Sequence, residues 1–268
     1  MLELEHGFRI VDVHVELEPE EERRPRGVGG PEQIERELHQ AGVVRALTVP
    51  DHRSGSYLKA NNGVARMAVD RPFDAIARIN GIHDPNAGAS SRIKNLTRSR
   101  TDEHTSPEDI EQYAYEDRFI GFMLDPHRDG LPDEEVLEQL ANVDMPVFTF
   151  GGRGFPPHRI EKTLLGYDFP LIISHFGGYP LEKELMLEAI DLLDRHGNCF
   201  LDTSYVRFRD PLEKAIMEHP SRVLFGSGAP SCHPNVAVME ILTLDLPEDA
   251  MRKVFSKNVS RIVDEVAP

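Results

Sequence analysis

The feature that most constrains this chain is an alternation repeated about eight times: a short apolar run, a polar loop, then an amphipathic stretch. The apolar runs are "FRIVDVHV" (8–15), "VVRALTVP" (43–50), "FDAIARIN" (73–80), "RFIGFMLD" (118–125), "MPVFTF" (145–150), "FPLIISHF" (169–176), "NCFLDTS" (198–204) and "RVLFGS" (222–227). They are rich in Val, Ile and Phe and mostly too short to be helices, so they read as strands. Between them, "PEQIERELHQAG" (31–42) has proline in its first turn and glycine at its stop, the signature of a helix. Residues 57–70, 133–143 and 181–197 follow the same logic, and a last helical piece, 248–266, closes the chain. Strands alternating with helices imply parallel pairing through right-handed crossovers. Eight such units fit a closed (β/α)8 TIM barrel, a single α/β domain over 1–268. A doubly wound open sheet is the alternative, but it often carries a glycine fingerprint after strand one, which this chain lacks. Segments 17–30 and 84–105 are polar and without periodicity. Both follow strands, so they read as loop insertions over the C-terminal face, either lids or plain surface loops.

Composition narrows the function classes. A net charge of −16 argues against nucleic acid, whose phosphates need a basic surface. Only seven of the thirty basic residues are lysine, and an acidic, lysine-poor surface fits a halophilic protein as well as an ordinary acidic enzyme. No run of eighteen apolar residues marks a membrane span, and the first residues do not read as a signal peptide. Two cysteines, Cys199 and Cys232, are too few for a disulfide scaffold, so a cytoplasmic setting is expected. A homo-oligomer stays open.

In a barrel, chemistry sits at the C-terminal strand ends. His14, His52, His83, His127, His175 and His233 all fall just past such ends. Strict alternation along strand one would put Ile10, Asp12, His14 and Glu16 on one face, pointing into the barrel, with Val11, Val13 and Val15 against the helices. Buried polar groups are costly unless hydrogen-bonded or bound to a metal. In "LIISHFGG", alternation groups His175 with Leu171 and Ile173 and brings it to the mouth level with His14. Two histidines and a carboxylate, His14, His175 and Glu16, would suit zinc or another divalent metal, which activates a bound water.

These residues carry a family resemblance. From "VDVHVEL" through "RFIGFMLDP", "MPVFTFGG" and "LIISHFGG" to "RVLFGSGAP" and "VFSKNVSRIV", the chain resembles the amidohydrolase superfamily over nearly its whole length. The branch is the amidohydrolase-related one, which holds metal-dependent hydrolases and decarboxylases such as the aminocarboxymuconate-semialdehyde decarboxylase group. The resemblance implies a His-x-His motif on strand one, where this chain has His14 and Glu16. It implies a ligand histidine at the end of strand five, where Phe150 stands, and a catalytic aspartate after strand eight, where Gly228 stands. His175 matches the strand-six histidine.

Two function classes follow. One is a metal-dependent hydrolase or decarboxylase acting on a small organic substrate that carries a carboxylate in one version. Asp202, Asp51 or His233 would supply the base, and Arg153 and Arg207 would clamp the carboxylate. The other is a metal-free binding or regulatory protein on a retired barrel. Metal-independent catalysis is a third route.

Overall fold

The computed structural model describes residues 6–20, 30–51, 56–86, 88, 91, 95–96 and 98–263. Eight strands form one parallel sheet in chain order: β1 (Ile10–Leu17), β2 (Val43–Pro50), β3 (Phe73–Arg78), β4 (Phe119–Leu124), β5 (Val147–Gly152), β6 (Leu171–Tyr179), β7 (Cys199–Asp202) and β8 (Val223–Leu224). The sheet comes round on itself. Val13 N–H donates to the Phe225 carbonyl at 2.9 Å, Glu16 N–H donates to that of Ala229 at 2.8 Å, and Val15 and Ala229 form a parallel bridge. This is the expected (β/α)8 barrel.

Helices α1 (Pro31–Gln40), α2 (Tyr57–Ala68), α3 (Pro107–Tyr115), α4 (Pro126–Asp129), α5 (Glu134–Asn142), α6 (Pro157–Thr163), α7 (Lys183–Arg195), α8 (Arg209–Glu218), α9 (Pro234–Leu242) and α10 (Glu248–Arg252) surround it. Local sequence starts them. Ser106 and Asp109 form a reciprocal capping box on α3, and the Asp133 carboxylate accepts from Val136 N–H on α5. The last piece is not the continuous helix expected over 248–266. After α10 the chain runs through a π-turn (Lys253–Lys257) and a 3-10 turn (Val259–Arg261). Buried Asn258 explains the break: its Nδ2 donates to the Pro220 and Val223 carbonyls at 2.9 and 2.8 Å, pinning this segment beneath β8.

Two apolar layers organise the molecule. One joins Val11, Val13, Leu47, Val49, Ile76 and Phe148 with residues of β4, β6 and β8 and with Val259 and Val263. Contributions from strands all round the sheet, and from none of α1–α10, identify it as the barrel interior. The other joins Ile10, Val15, Leu171 and Ile173 to the apolar faces of the helices. Each such side chain, fully buried, contributes about 1.5–3 kcal/mol.

The face assignment on β1 is therefore corrected. Ile10 faces the helices, and Val11 and Val13 face inward. The reason is a bulge: Asp12 pairs with Ala46 and Val15 with Thr48, three steps on β1 against two on β2. The extra residue lets His14 turn to the mouth although Val13 points inward. On β6, Leu171 and Ile173 belong to the helix layer and Ile172 to the interior, so simple alternation would send His175 outward. Instead His175 and Phe176 take φ of 58° and 53°, and the strand twists His175 into the mouth.

Residues 21–29 of the first insertion, and His52, lie outside the described residues. The second insertion folds back on β3: Asp84 N–H donates to Asn95, Arg98 to the Ile82 carbonyl, and Thr105 N–H to the Asn80 carbonyl. None of the described residues of 17–30 or 84–105 lines the mouth cavity.

Candidate active site at the barrel mouth

His14 and His175 meet at the mouth with ring centroids 4.9 Å apart. Asp202, at the end of β7, joins both. Its Oδ2 lies 3.1 Å from His14 Nδ1, and its Oδ1 accepts from the His175 and Ser204 N–H groups at 3.1 and 2.9 Å. The Ser204 hydroxyl also donates to Asp202, and its oxygen lies 2.9 Å from His175 Nδ1. This network places a proton on Nδ1 of both rings. Asp12 Oδ1 accepts from His14 N–H at 3.0 Å and Ser227 N–H at 2.9 Å, tying the bulge to the end of β8.

Glycine makes the pair fit. A Cβ on Gly226 would lie 3.0 Å from that of His14 and 3.3 Å from the Asp202 carboxyl carbon. Gly228 has φ of 73°, and a Cβ there would lie 2.7 Å from the Tyr205 ring. Tyr205, itself at φ 58°, stands edge-on to His175 with centroids 4.9 Å apart. At the position where the resemblance implies an aspartate, Gly228 leaves room for the Tyr205 ring.

Electrostatics separates the two imidazoles. Burial opposes a charge on His14, but the adjacent Asp202, and then Glu16, outweigh it and raise its pKa to about 10. Burial, reinforced by the His14 charge, pushes His175 down to about 3. For Asp202, burial favours protonation, yet the charge and hydrogen bond of His14 hold its carboxyl well below the usual range. Burial lifts Asp12 to about 6. At neutral pH the site thus holds a His14 imidazolium and a neutral His175.

Among the described residues, His14 Nε2 is buried and without a hydrogen-bond partner. The nearest carboxylate oxygen is Glu16 Oε1 at 3.8 Å. Glu16 opens onto a cavity of about 190 Å3, lined also by Asp51, Asp125, Phe150, Tyr179 and Tyr205. Beneath Phe150 lies Arg78, 2% exposed, its guanidinium 6.0 Å from the ring centroid. It donates to Asp129 at 2.5 Å, to Asp125 at 3.1 Å and to the Pro50 carbonyl at 2.7 Å, locking the ends of β2, β3 and β4 together.

The other expected site residues are scattered. Asp51 and Arg153 line the cavity, but the Arg153 guanidinium, at the exposed rim, bonds Glu182. Arg207 is turned away: it donates to the Glu240 carboxylate at 2.8 and 2.9 Å and to Cys232 Sγ at 3.0 Å. His233 is exposed and accepts from Asn235 N–H at 3.2 Å as the cap of α9. Neither lines the cavity. The carboxylate clamp and a His233 base are therefore not assembled here. Sequence reading missed Arg78, Ser204 and Tyr205. The signals were a lone charge in the apolar run "FDAIAR" and the two polar residues beyond "DT" in "DTSY".

A divalent metal, zinc in the expectation, does not fit this donor set. His14, Glu16 and His175 are neighbours, but the strand-five position carries the Phe150 ring, 5.5 and 4.8 Å from the two imidazole centroids. The strand-eight position carries no side chain. Among the described residues no group of three or more His, Cys, Asp or Glu is placed to hold a metal ion.

Comparison with known proteins agrees with the barrel. A structure of an uncharacterised TIM-barrel protein from Bordetella bronchiseptica is 19% identical, covers 94% of this chain and 97% of its own, and superposes with a TM-score of 0.66. A probable 2-pyrone-4,6-dicarboxylic acid hydrolase from Acinetobacter baumannii, with citric acid bound, is 14% identical over 95% of this chain and 99% of that one, with a TM-score of 0.61. A dihydroxybenzoic acid decarboxylase from Polaromonas sp., with bound manganese and the inhibitor 2-nitroresorcinol, is 14% identical over 95% and 96%, with a TM-score of 0.63. At such identities the likeness is one of fold. No curated protein matches this chain in sequence. The family model described as Amidohydrolase matches residues 11–264, nearly the whole barrel, and the chain belongs to that family.

Proposed function

We propose that the protein is a hydrolase or decarboxylase of small organic molecules in which His14, backed by Asp202, carries the proton. The observation that supports this reading is the orphaned His14 Nε2, buried and 3.8 Å from a cavity-lining carboxylate. Asp202 fixes the tautomer and orientation of the ring, as the carboxylate does in a catalytic triad. The raised pKa keeps a proton on Nε2 at neutral pH, so His14 starts as general acid. In hydrolysis, Glu16 takes a proton from the attacking water, whose oxygen bonds the electrophilic carbon, and His14 gives its proton to the leaving atom. In decarboxylation, the electron pair of the breaking C–C bond stays on the substrate carbon and takes the His14 proton as carbon dioxide leaves. Neutral His175, with Nδ1–H bonded to Ser204, offers an acceptor at Nε2. No step is routed through a metal.

The test is a panel of small lactones, amides, amidines and carboxylic acids, assayed with and without chelator. Turnover that survives chelation and falls at least about 100-fold in His14→Gln supports the reading. Turnover lost on chelation and restored by Mn2+ or Zn2+ returns the site to a metal centre of His14, Glu16 and His175. A second reading, binding without turnover, is favoured by Phe150 and by the Tyr205 ring over Gly228, which leave two family positions without a functional group.

A further inference from the structure

Four aromatic side chains line the mouth cavity, a space of about 190 Å3. They are Phe150, Phe155, Tyr179 and Tyr205. The rings touch through His175: Phe150, Tyr179 and Tyr205 have centroids 4.8, 5.1 and 4.9 Å from its own, and the two tyrosines meet edge-on at 5.9 Å.

The charge lining this space is unevenly matched. The cavity's cations are engaged: Arg153 bonds Glu182, and Arg128 lies 3.7 Å from Asp125. Arg78 is shared by Asp125 and Asp129, and Asp202 neutralises His14. Glu16 is left over. It is 9% exposed, it lines the cavity, and its only ion-pair contact among the described residues is the 3.8 Å approach to His14, too long for a hydrogen bond. Asp51 stands in the same lining, and the Glu16 charge adds to burial in raising its pKa. Glu16 thus keeps its charge at the cavity wall, and a cation in the cavity would add a closer partner.

We infer that this cavity binds a small organic cation, a protonated or quaternary amine, with Glu16 as counter-ion and Phe150, Tyr179 and Tyr205 as the walls. Aromatic faces attract cations through their quadrupole, and enclosure by several rings is how proteins select quaternary ammonium groups. The net charge of −16 adds a field that draws cations to the surface. With Arg207 turned away and Arg153 paired, neither arginine of the expected clamp is offered to a carboxylate in this cavity. The inference deepens the reading of this cavity as a small-molecule site and rests on it.

Three probes of one shape and different charge decide the matter: choline, neutral 3,3-dimethylbutanol and anionic 3,3-dimethylbutyrate, titrated calorimetrically into the full chain. Choline is expected to bind about 10-fold tighter than the alcohol, and the butyrate weakest. Glu16→Gln should remove most of the choline advantage. Phe150→Leu, which keeps every charge, should weaken choline several-fold more than the alcohol and serves where Glu16→Gln fails to fold. Equal binding of choline and the alcohol, tighter binding of the butyrate, no binding of any probe, or choline binding indifferent to both substitutions would overturn the inference. His14→Gln separates the two readings. Choline binding retained while turnover stops supports both. Wild-type turnover confined to uncharged or anionic compounds, with choline unbound, overturns the cation site alone. Choline bound by a wild type that turns over nothing overturns the proton-transfer reading alone.

Discussion

In the lower half of the barrel, Val11, Leu47, Ile76, Phe148, Ile172 and Leu224 point inward, while Ile10, Leu171, Ile173 and Val223 meet the helices, as alternation dictates. In the upper half the same strands break that rule. β1 bulges before His14, β6 enters the left-handed region at His175, and Tyr205 and Gly228 do so beyond β7 and β8. The lower half is apolar and keeps its inward–outward alternation despite register shifts at Ile10/Val11 and Ala75/Ala77; the upper is polar, breaks that alternation and is held by hydrogen bonds to Asp12 and Asp202. Local strain gathers where side chains must converge on one point, and the apolar half below supplies the stability that tolerates it.

The largest effects should set the two halves apart by their response to pH. Phe148→Ala empties interior space and is expected to cost about 3–5 kcal/mol. Asp202→Asn leaves His14 without its counter-charge, with a cost of similar size, about 3–5 kcal/mol at pH 7. Urea denaturation across pH should show the first loss nearly constant. The second should shrink as pH rises from about 6.5 toward the His14 value of about 10, where that ring gives up its proton. A pH-independent Asp202→Asn loss would break the contrast.

The wild-type curve gives the next test. A raised histidine pKa contributes stability in full below the unfolded value of about 6.5, and that contribution drains away as pH rises toward the folded value of about 10. Stability should therefore decline across this window, and His14→Gln should flatten the slope. Gly228→Asp comes third. Its φ of 73° and the Tyr205 ring predict a loss of about 1–3 kcal/mol and no gain in Zn2+ or Mn2+ affinity by calorimetry. Stoichiometric metal in that variant would show a family centre awaiting one ligand. Smallest is Arg207→Ala: it removes an exposed pair with Glu240, and both stability and choline affinity should stay within about 0.5 kcal/mol of wild type.

The fold was legible because it rests on repetition. Strand β2 runs over 43–50 as read, and α1, α2, α5 and α7 fall within their expected segments. The strand ends were read less well. The runs ending "DTS" and "FGS" suggest longer strands than β7 and β8, because turn-forming residues that remain buried look like strand in sequence. At the site, His14 and His175 do meet, but not through the alternation that suggested it. Two irregularities override the pattern on both strands, and neither has a sequence signature. Arg207 and His233 were drawn in by position alone. Their partners, Glu240 and Asn235, lie on α9, a helix whose contacts a strand-end argument does not weigh. Buried Arg78 was visible as a charge in an apolar run, but its partners Asp125 and Asp129 come from the next unit.

The claim on which the account turns is that His14 bears a locked proton at neutral pH, placed there by Asp202 rather than displaced by a metal. Nitrogen-15 NMR of histidine-labelled protein, exhaustively chelated and followed from pH 5 to pH 11, reads this directly. The account predicts that the His14 ring stays doubly protonated until about pH 10, and that Asp202→Asn brings its titration down by several pH units. A His14 ring already neutral at pH 7 in the wild type, or one whose titration ignores Asp202→Asn, would contradict it.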